Sequence, residues 1–216
     1  MMAIAARVGI GTSMTLPTLE FWFEFASTYS YPAALRIGPM AAALGVELRW
    51  QPFLLGPIFQ AQGWDNSPFN IYPAKGRYMW RDMERVCATL GLPFRRPEPF
   101  PQPGLLAARV ALVGLDEGFG EDFVRAVYSA EFADGRQIGD PEVIADLLGR
   151  LHVEPGPVLA RARSDAIKSR LRAQTERARA LGVFGAPSFV TADGELFWGN
   201  DRLEAALSVA AGPDGR

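Results

Sequence analysis

Four consecutive residues with hydroxyl side chains, Ser27-Thr28-Tyr29-Ser30, form the segment of this sequence best suited to chemistry. They stand between an apolar stretch, residues 19–25, and a pattern typical of a helix over residues 32–44. The first N–H groups of a helix have no partner within the helix and carry partial positive charge, so they stabilise a nearby anion. We therefore expect this hydroxyl-rich turn to lie at a strand-to-helix corner that can hold a thiolate.

The chain supplies little redox or metal chemistry of its own. Cys87 is its single cysteine and His152 its single histidine. These counts exclude an internal disulfide, a Cys-X-X-Cys redox pair and a zinc site built from these two residue types. Catalysis at the turn must therefore use hydroxyls, carboxylates or a thiol that comes from outside the protein.

Composition also excludes several classes of partner. The net charge of −2 leaves no basic surface for nucleic acid. No run of about 18 apolar residues is present, so we expect no membrane span. Residues 1–17 lack the charged start and continuous apolar core of a secretory signal; we interpret them as a loose extension and expect a cytoplasmic protein.

Two predicted strands surround the hydroxyl-rich turn and the helix after it. Every second residue from Phe21 to Phe25 is a phenylalanine, and this period of two predicts a strand. Residues 46–53 alternate in the same way, and the strand should end at Pro52, which has no N–H for a ladder. Strand, helix and strand within about 35 residues predict a parallel crossover unit.

The middle of the chain reads as helices, and the end returns to strands. Helical spacing predicts helices over residues 74–91, 105–117, 120–132, 140–151 and 157–181. After them come a predicted strand over residues 183–190, a tight turn at Asp193-Gly194, a second arm over 196–199 and a last helix over 201–210.

This order of elements predicts the α/β class, specifically a thioredoxin-like fold with a large all-helical insertion. We expect residues 18–60 and 182–211 to form the thioredoxin-like domain. Residues 61–181 should form the helical insertion domain, which has a normal size for a packed unit.

Three separated motifs carry a resemblance to a known family. They are Phe-Ala-Ser-Thr-Tyr-Ser-Tyr at 25–31, Gly-Val-Phe-Gly-Ala-Pro-Ser-Phe at 182–189 and Phe-Trp-Gly-Asn-Asp-Arg-Leu at 197–203. In this order they resemble the 2-hydroxychromene-2-carboxylate isomerases, which are grouped with the kappa-class glutathione transferases among the relatives of DsbA. The resemblance implies a glutathione-dependent enzyme.

The resemblance implies roles for the turn and for a late proline. Ser27 and Ser30 have the spacing of the two cysteines of DsbA-like oxidoreductases, and Ser27 would contact the glutathione sulfur. The alternative is that Ser27 only caps the helix. Pro187 takes the position of the cis-proline of thioredoxin-like folds, so Ala186 should pair with the glutathione peptide through its N–H and C=O. An ordinary trans proline is the alternative there.

Further residues complete the implied glutathione site. Asn200 and Asp201 would bind the γ-glutamyl end of glutathione. Asn200 would hold the α-carboxylate of the ligand and Asp201 its ammonium group. The alternative is that both residues serve only as helix caps. Asn66 and Lys75 match the positions that bind the glycine carboxylate side and line the pocket. A solvated surface lysine is the alternative for Lys75.

The implied reaction is the isomerisation of 2-hydroxychromene-2-carboxylate to trans-o-hydroxybenzylidenepyruvate by reversible addition of the glutathione thiolate. A pocket rich in aromatic side chains would suit this small aromatic carboxylate. The candidates are Tyr29, Phe53, Phe59, Trp64 and Tyr78. A kappa-like glutathione transferase and a non-catalytic thioredoxin-like binding protein remain as alternatives. A homodimer is plausible by resemblance.

Overall fold

The computed structural model describes residues 16–212, so the proposed extension over residues 1–17 lies almost wholly outside the described part. Within that part, no helix combines the length and the apolar character needed to cross a membrane. The elements in chain order are β1 (Thr18–Phe23), α1 (Ser30–Ala43), β2 (Glu47–Pro52), α2 (Leu55–Ala61), α3 (Pro68–Ile71), α4 (Pro73–Leu90), α5 (Leu105–Glu117), α6 (Gly120–Phe132), α7 (Pro141–Arg150), α8 (Pro155–Ala162), α9 (Asp165–Ala180), β3 (Ser188–Thr191), β4 (Leu196–Trp198) and α10 (Leu203–Ala211).

The strands form one mixed sheet in the order β2-β1-β3-β4. β1 is parallel to β2 and antiparallel to β3, and β3 is antiparallel to β4. Phe21 pairs with Trp50 on one side and with Phe189 on the other. The predicted parallel crossover, the end of β2 at Pro52 and the late hairpin are confirmed.

β1 is buried on both faces because helices cover both sides of the sheet. Phe21 and Phe23 belong to the large core, whereas Trp22 belongs to a smaller core on the opposite face. The Phe21 ring stacks on Phe189 with a centroid distance of 5.5 Å. Such aromatic pairs add about 0.5–1.5 kcal/mol to their burial. The strand that ends at the hydroxyl-rich turn is therefore firmly fixed.

Helices fill the chain between β2 and β3. The bounds predicted for α5 and α6 are confirmed. Asp140 is the N-cap of α7, as predicted, and its side chain accepts a hydrogen bond from Glu142 N at 2.9 Å. The single helix predicted over residues 157–181 is wrong: α8 and α9 replace it, because the Ser164 side chain accepts from Ile167 N and starts a new helix.

Two boundaries near the end of the chain also differ from prediction. β3 begins at Ser188 rather than at residue 183, because Pro187 has no N–H and the Ala186 carbonyl is occupied by Ser27. The last helix begins at Leu203 rather than at residue 201. A 3-10 turn precedes it, closed by a hydrogen bond from Arg202 N to Gly199 O at 3.0 Å.

The large core is continuous from the sheet into the helical segment. It contains Phe21 and Phe189 of the sheet together with Tyr128 of α6 and Leu148 of α7. The fold class, a thioredoxin-like fold with a large helical insertion, is confirmed. The division of the chain into separate domains stays a prediction.

Candidate active site

The hydroxyl-rich turn lies at the corner between β1 and α1, as predicted. The Ser27 N–H donates to the Glu24 carbonyl at 2.9 Å, and the Ser30 N–H donates to the Ser27 carbonyl at 3.2 Å. The N-cap residue of α1 is Tyr29, and no side chain caps this helix. The alternative that Ser27 only caps a helix is therefore wrong.

The Ser27 hydroxyl instead makes a contact across the sheet. Ser27 Oγ donates to the Ala186 carbonyl at 2.7 Å, a short and well-formed hydrogen bond. The Ala186–Pro187 peptide bond is cis, so the alternative of a trans proline is wrong. Ala186 is half-buried, and nothing within residues 16–212 accepts a hydrogen bond from its N–H. The Ala186 carbonyl thus binds Ser27, whereas the Ala186 N–H has no acceptor among these residues.

Asn200 and Asp201 lie near the same corner because the residue before them, Gly199, is hydrogen-bonded to Pro187. The Pro187 carbonyl accepts a hydrogen bond from Gly199 N at 2.9 Å. Gly199 has a φ of +109°, and the Asp201 carboxylate occupies the space that a Cβ at residue 199 would need. A glycine is required here because it alone adopts this conformation with so close a neighbour.

The side chains of Asn200 and Asp201 point to different surroundings. Asn200 is buried, and its Oδ1 accepts from Arg36 Nη2 at 3.0 Å. Asp201 is well exposed, and its closest charged neighbour is Arg202 at 3.5 Å. Neither side chain caps the 3-10 turn or α10, so the capping alternative for these two residues is wrong.

Helices α3 and α4 approach the corner from the opposite side. Tyr29 Oη donates to Asp82 Oδ2 at 2.9 Å, and the Tyr29 ring lies 6.5 Å from the Phe69 ring. Burial, and then the neighbouring Asp82 carboxylate, raise the pKa of Tyr29 above its ordinary value. Tyr29 therefore stays a neutral hydrogen-bond donor that joins the turn to α4.

Asn66 and Lys75 lie on this helical side, and both are exposed. Asn66 Oδ1 accepts from Ser67 N at 2.7 Å, just before α3. Lys75 lies in the first turn of α4, as predicted, with Nζ 4.8 Å from the centre of the Tyr72 ring. Neither side chain hydrogen-bonds to Ser27, so their part in a glutathione site stays a prediction.

The predicted aromatic lining is partly wrong. Phe53 is fully buried against Trp22 in the smaller core, with its ring 6.0 Å from the tryptophan, and so cannot touch a ligand. Tyr78 is exposed. Sequence reasoning missed an exposed aromatic pair, Phe184 and Trp198, whose ring centroids lie 4.9 Å apart. Phe184 precedes Ala186 in the chain and Trp198 follows it in β4. The Trp198 ring packs beside Gly185, next to Ala186 in the chain, and exposed aromatic rings of this kind suit a flat apolar molecule.

Two buried carboxyl groups behind the turn were also missed. The first belongs to Glu24, whose backbone carbonyl accepts hydrogen bonds from Tyr128 Oη, at 2.9 Å, and from Ser27 N. Glu131 of α6 is fully buried, and both of its carboxyl oxygens lack a partner among the described residues. Ser30 Oγ is likewise buried, beside the Tyr128 hydroxyl, and without a well-formed hydrogen bond.

Burial decides the charge of these carboxyl groups. It raises the pKa of Glu24 to about 8, although the Ala26 N–H opposes the shift. Burial, and then the nearby Glu24, raise the pKa of Glu131 well above its ordinary value. Burial therefore favours the protonated, neutral form of both carboxyl groups, which reduces the negative charge that would oppose an anion held at Ser27.

The corner thus offers a hydroxyl donor beside a free backbone N–H. Such a pair can hold an extended peptide and donate a hydrogen bond to a sulfur anion. It cannot exchange disulfides, because the turn contains no cysteine. The expected chemistry is the stabilisation of a thiolate supplied by a ligand.

Comparisons with known proteins agree with this architecture. The chain is 29% identical over 189 residues to a 2-hydroxychromene-2-carboxylate isomerase of Sphingobium xenophagum, covering 87% of this chain and 94% of the relative. It is 27% identical to glutathione S-transferase kappa 2 of Caenorhabditis elegans, covering 90% and 92% of the two chains. The solved structure of a 2-hydroxychromene-2-carboxylate isomerase superposes with a TM-score of 0.78 at 25% identity, covering 86% and 90%.

The relatives are thus enzymes of two kinds, isomerases and glutathione transferases, and both resemble this chain over nearly its whole length. Residues 18–209 match the family described as DSBA-like thioredoxin domain. The matched range contains every strand of the sheet and the helices between them. The chain belongs to the DSBA-like thioredoxin domain family.

Proposed function

We propose that this protein is a glutathione-dependent isomerase of the 2-hydroxychromene-2-carboxylate type. The observation that carries the proposal is the Ser27 hydroxyl, which lies 2.7 Å from the Ala186 carbonyl, beside an Ala186 N–H that has no acceptor within residues 16–212. The identities of the relatives support the same reaction class, since isomerases of this type match the chain over 86–87% of its length.

The residues at the corner fit glutathione. A peptide needs a strand-like edge, and Ala186 provides one C=O and one N–H just before β3 begins. The sulfur needs a donor that is not a competing thiol, and Ser27 provides a hydroxyl. Asn200 and Asp201 provide an amide and a carboxylate for the γ-glutamyl end, with Asn66 and Lys75 on the opposite side for the glycine end.

Binding requires an exchange of hydrogen bonds at Ser27. In the structure the Ser27 hydroxyl proton is directed to the Ala186 carbonyl. An incoming peptide N–H replaces it on that carbonyl, and the Ser27 hydroxyl then turns to donate to the sulfur. Because a hydrogen bond to a charged group is worth about 1.5–3 kcal/mol, this donation lowers the thiol pKa by roughly 1–2 units.

When bound, glutathione supplies a thiolate that adds to a conjugated double bond and leaves after rotation about the former double bond. Ser27 holds the negative charge at the start and at the end of this cycle. Phe184 and Trp198 form an exposed apolar surface next to Ala186 for the aromatic part of the substrate. Burial of Glu24 and Glu131 raises the pKa of both groups and so disfavours a negative charge behind the corner.

The test is turnover of 2-hydroxychromene-2-carboxylate by the wild type and by Ser27→Ala. We expect wild-type turnover that depends on glutathione and leaves its concentration unchanged. Ser27→Ala should lower kcat/KM at pH 7 by roughly 10- to 100-fold and raise the pKa of the bound thiol, followed by thiolate absorbance, by about 1–2 units.

Ser30→Ala is the matched control, since Ser30 lies in the same turn with its hydroxyl buried and without a well-formed hydrogen bond. It should leave the thiol pKa unchanged. Equal effects of the two substitutions would contradict a specific role of Ser27.

A kappa-like glutathione transferase is the second candidate, favoured by the 27% identity to a kappa enzyme over 90% of this chain. The same corner would then release a conjugate. Stoichiometric consumption of glutathione in the presence of an electrophile such as 1-chloro-2,4-dinitrobenzene, without isomerase turnover, would support this candidate over the first.

A further inference from the structure

The Tyr29 hydroxyl belongs to the same turn as Ser27, and the addition of the thiolate makes no use of it. The Ser30 N–H donates to the Ser27 carbonyl at 3.2 Å, so residues 27–30 form one turn with Tyr29 as its third residue. Two residues of chain span at most about 7 Å, which keeps the Tyr29 backbone close to Ser27. The Tyr29 side chain is only half-buried, so part of it stays accessible to a ligand at Ser27.

Groups from two other segments face the Tyr29 side chain. Its hydroxyl donates to Asp82 Oδ2 of α4 at 2.9 Å, and the two residues are 53 positions apart in the chain. Burial and then Asp82 raise the pKa of Tyr29 most, and Tyr78 and Asp201 are close enough to add to this shift. Tyr29 therefore stands between α4 and the segment that carries Asp201.

The hydrogen bond to Asp82 fixes which way the Tyr29 hydroxyl can work. Its proton is directed to Asp82, so the lone pair that remains can accept a hydrogen bond from a hydroxyl group of a ligand. Asp82 makes no ion pair within residues 16–212, since its neighbour Arg81 pairs with Glu84. No cation in this part of the chain therefore neutralises Asp82, and its carboxylate can accept the tyrosine proton.

We propose that Tyr29 and Asp82 form a proton relay that opens the ring of the substrate. Tyr29 is the catalytic residue of the relay, and Asp82 is the positioning residue behind it. This assignment rests on the proposed function. The reacting double bond of 2-hydroxychromene-2-carboxylate lies in a six-membered ring, which holds it cis. The ring must therefore open before the thiolate adduct can rotate.

The ring opening is balanced without a co-reactant. The tertiary hydroxyl of the substrate gives its proton to Tyr29 Oη while Tyr29 gives its own proton to Asp82. The electron pair of that O–H bond forms a carbonyl, and the bond from the same carbon to the ring oxygen breaks with its electron pair on the oxygen. The ring oxygen then takes a proton from Tyr29, which recovers its own from Asp82, and a phenol results.

The test compares two substrates that both require thiolate addition and rotation. They are 2-hydroxychromene-2-carboxylate and cis-benzylidenepyruvate, which lacks the phenolic oxygen and so has no ring to open. The variants are Tyr29→Phe and Asp82→Asn; the asparagine keeps an oxygen that accepts from Tyr29 but does not take up its proton. Tyr31→Phe is the matched control, because Tyr31 follows in the same motif and its hydroxyl donates to the Pro93 carbonyl at 2.7 Å with its ring in the core.

We expect Tyr29→Phe and Asp82→Asn to lower kcat/KM by about 100-fold or more for 2-hydroxychromene-2-carboxylate and by less than about threefold for cis-benzylidenepyruvate. Tyr31→Phe should leave the ratio of the two values as it is in the wild type. Equal losses on both substrates in the Tyr29 and Asp82 variants, or no loss on either, overturn the relay and leave the proposed function intact. Failure of the wild type to turn over either substrate with glutathione overturns both.

Discussion

The two sides of the candidate site are built differently. On the sheet side, Ser27, Ala186 and Asn200 are fixed by hydrogen bonds of 2.7–3.0 Å next to the fully buried core of β1 and β3. On the helical side, Asn66 and Lys75 are exposed residues at the starts of α3 and α4. Stability and ligand binding are therefore coupled on the sheet side and separable on the helical side.

Removal of one phenylalanine from each side should have the largest and most unequal effects on stability. Phe189→Ala deletes a fully buried ring that stacks on Phe21, and we expect the free energy of unfolding to fall by about 3–5 kcal/mol. Phe69→Ala deletes a half-buried ring that contacts Tyr29, so its cost should be less than half as large. Urea denaturation measures both values, and equal losses would contradict the distinction.

A pH titration of stability tests the buried carboxyls behind the sheet side. A carboxyl whose folded pKa is raised stabilises the fold fully below its unfolded pKa, and this contribution is lost as the pH rises through the folded pKa. With the pKa of Glu24 at about 8 in the folded state, the free energy of unfolding should fall between about pH 5 and 8. The slope should be on the order of 1 kcal/mol per pH unit for each such carboxyl.

Glu131→Gln should flatten this slope, because it removes one of the two groups that take up a proton on folding. Glu121→Gln, on the same helix but exposed, is the control and should leave the slope unchanged. Tyr128, whose hydroxyl donates to the backbone carbonyl of Glu24, does not titrate in this range, because burial raises its pKa well above its ordinary value. An equally steep slope in Glu131→Gln would show that other groups cause the pH dependence.

Tyr29 is the residue that joins the two sides, and its removal should have an intermediate effect. Tyr29→Phe loses the hydrogen bond of 2.9 Å to Asp82 and keeps the ring against Phe69. We expect a loss of about 1 kcal/mol in unfolding free energy and faster amide exchange in α3 and α4 than in the sheet. Uniformly faster exchange would mean that the two sides open together.

Lys75→Gln should have the smallest effect on stability, within about 0.5 kcal/mol, because the side chain is exposed. It should nevertheless weaken glutathione binding several-fold, since a cation at the start of α4 favours the ligand's carboxylate. Arg77→Gln, an exposed cation two residues later, is the control for net charge. Calorimetry measures glutathione binding by both variants. If the two substitutions weaken it equally, Lys75 acts only through long-range electrostatic attraction and not through a contact with the ligand.

The sheet side could be predicted from sequence because its signals are local. The alternation from Phe21 to Phe25 specifies the strand, and the motif around Pro187 specifies its partner. The bounds of α5 and α6 follow from helical spacing in the same way. The start of α9 was missed although Ser164 followed by Asp165 is an N-cap signal, because the apolar spacing continues through the break.

What could not be predicted depends on contacts between distant segments. Glu24 directly follows β1, and nothing local indicates that its side chain is buried against the loop at Gly104. The pairing of Arg36 with Glu204 likewise joins residues far apart in the chain. Phe53 ends the alternating stretch over residues 46–53, and nothing local indicates that its ring enters the smaller core rather than the predicted pocket.

The hydrogen bond from Ser27 to Ala186 joins residues separated by 159 positions. During synthesis, Ala186 is therefore added only after the first two strands and all the helices of the insertion, so the Ser27 hydroxyl lacks its acceptor until then. Until β3 emerges, one edge of the phenylalanine-rich β1 has no neighbour, and an open apolar edge invites association with other nascent chains. Late completion of the sheet thus leaves this edge of β1 unpaired for most of the time that the chain is being synthesised.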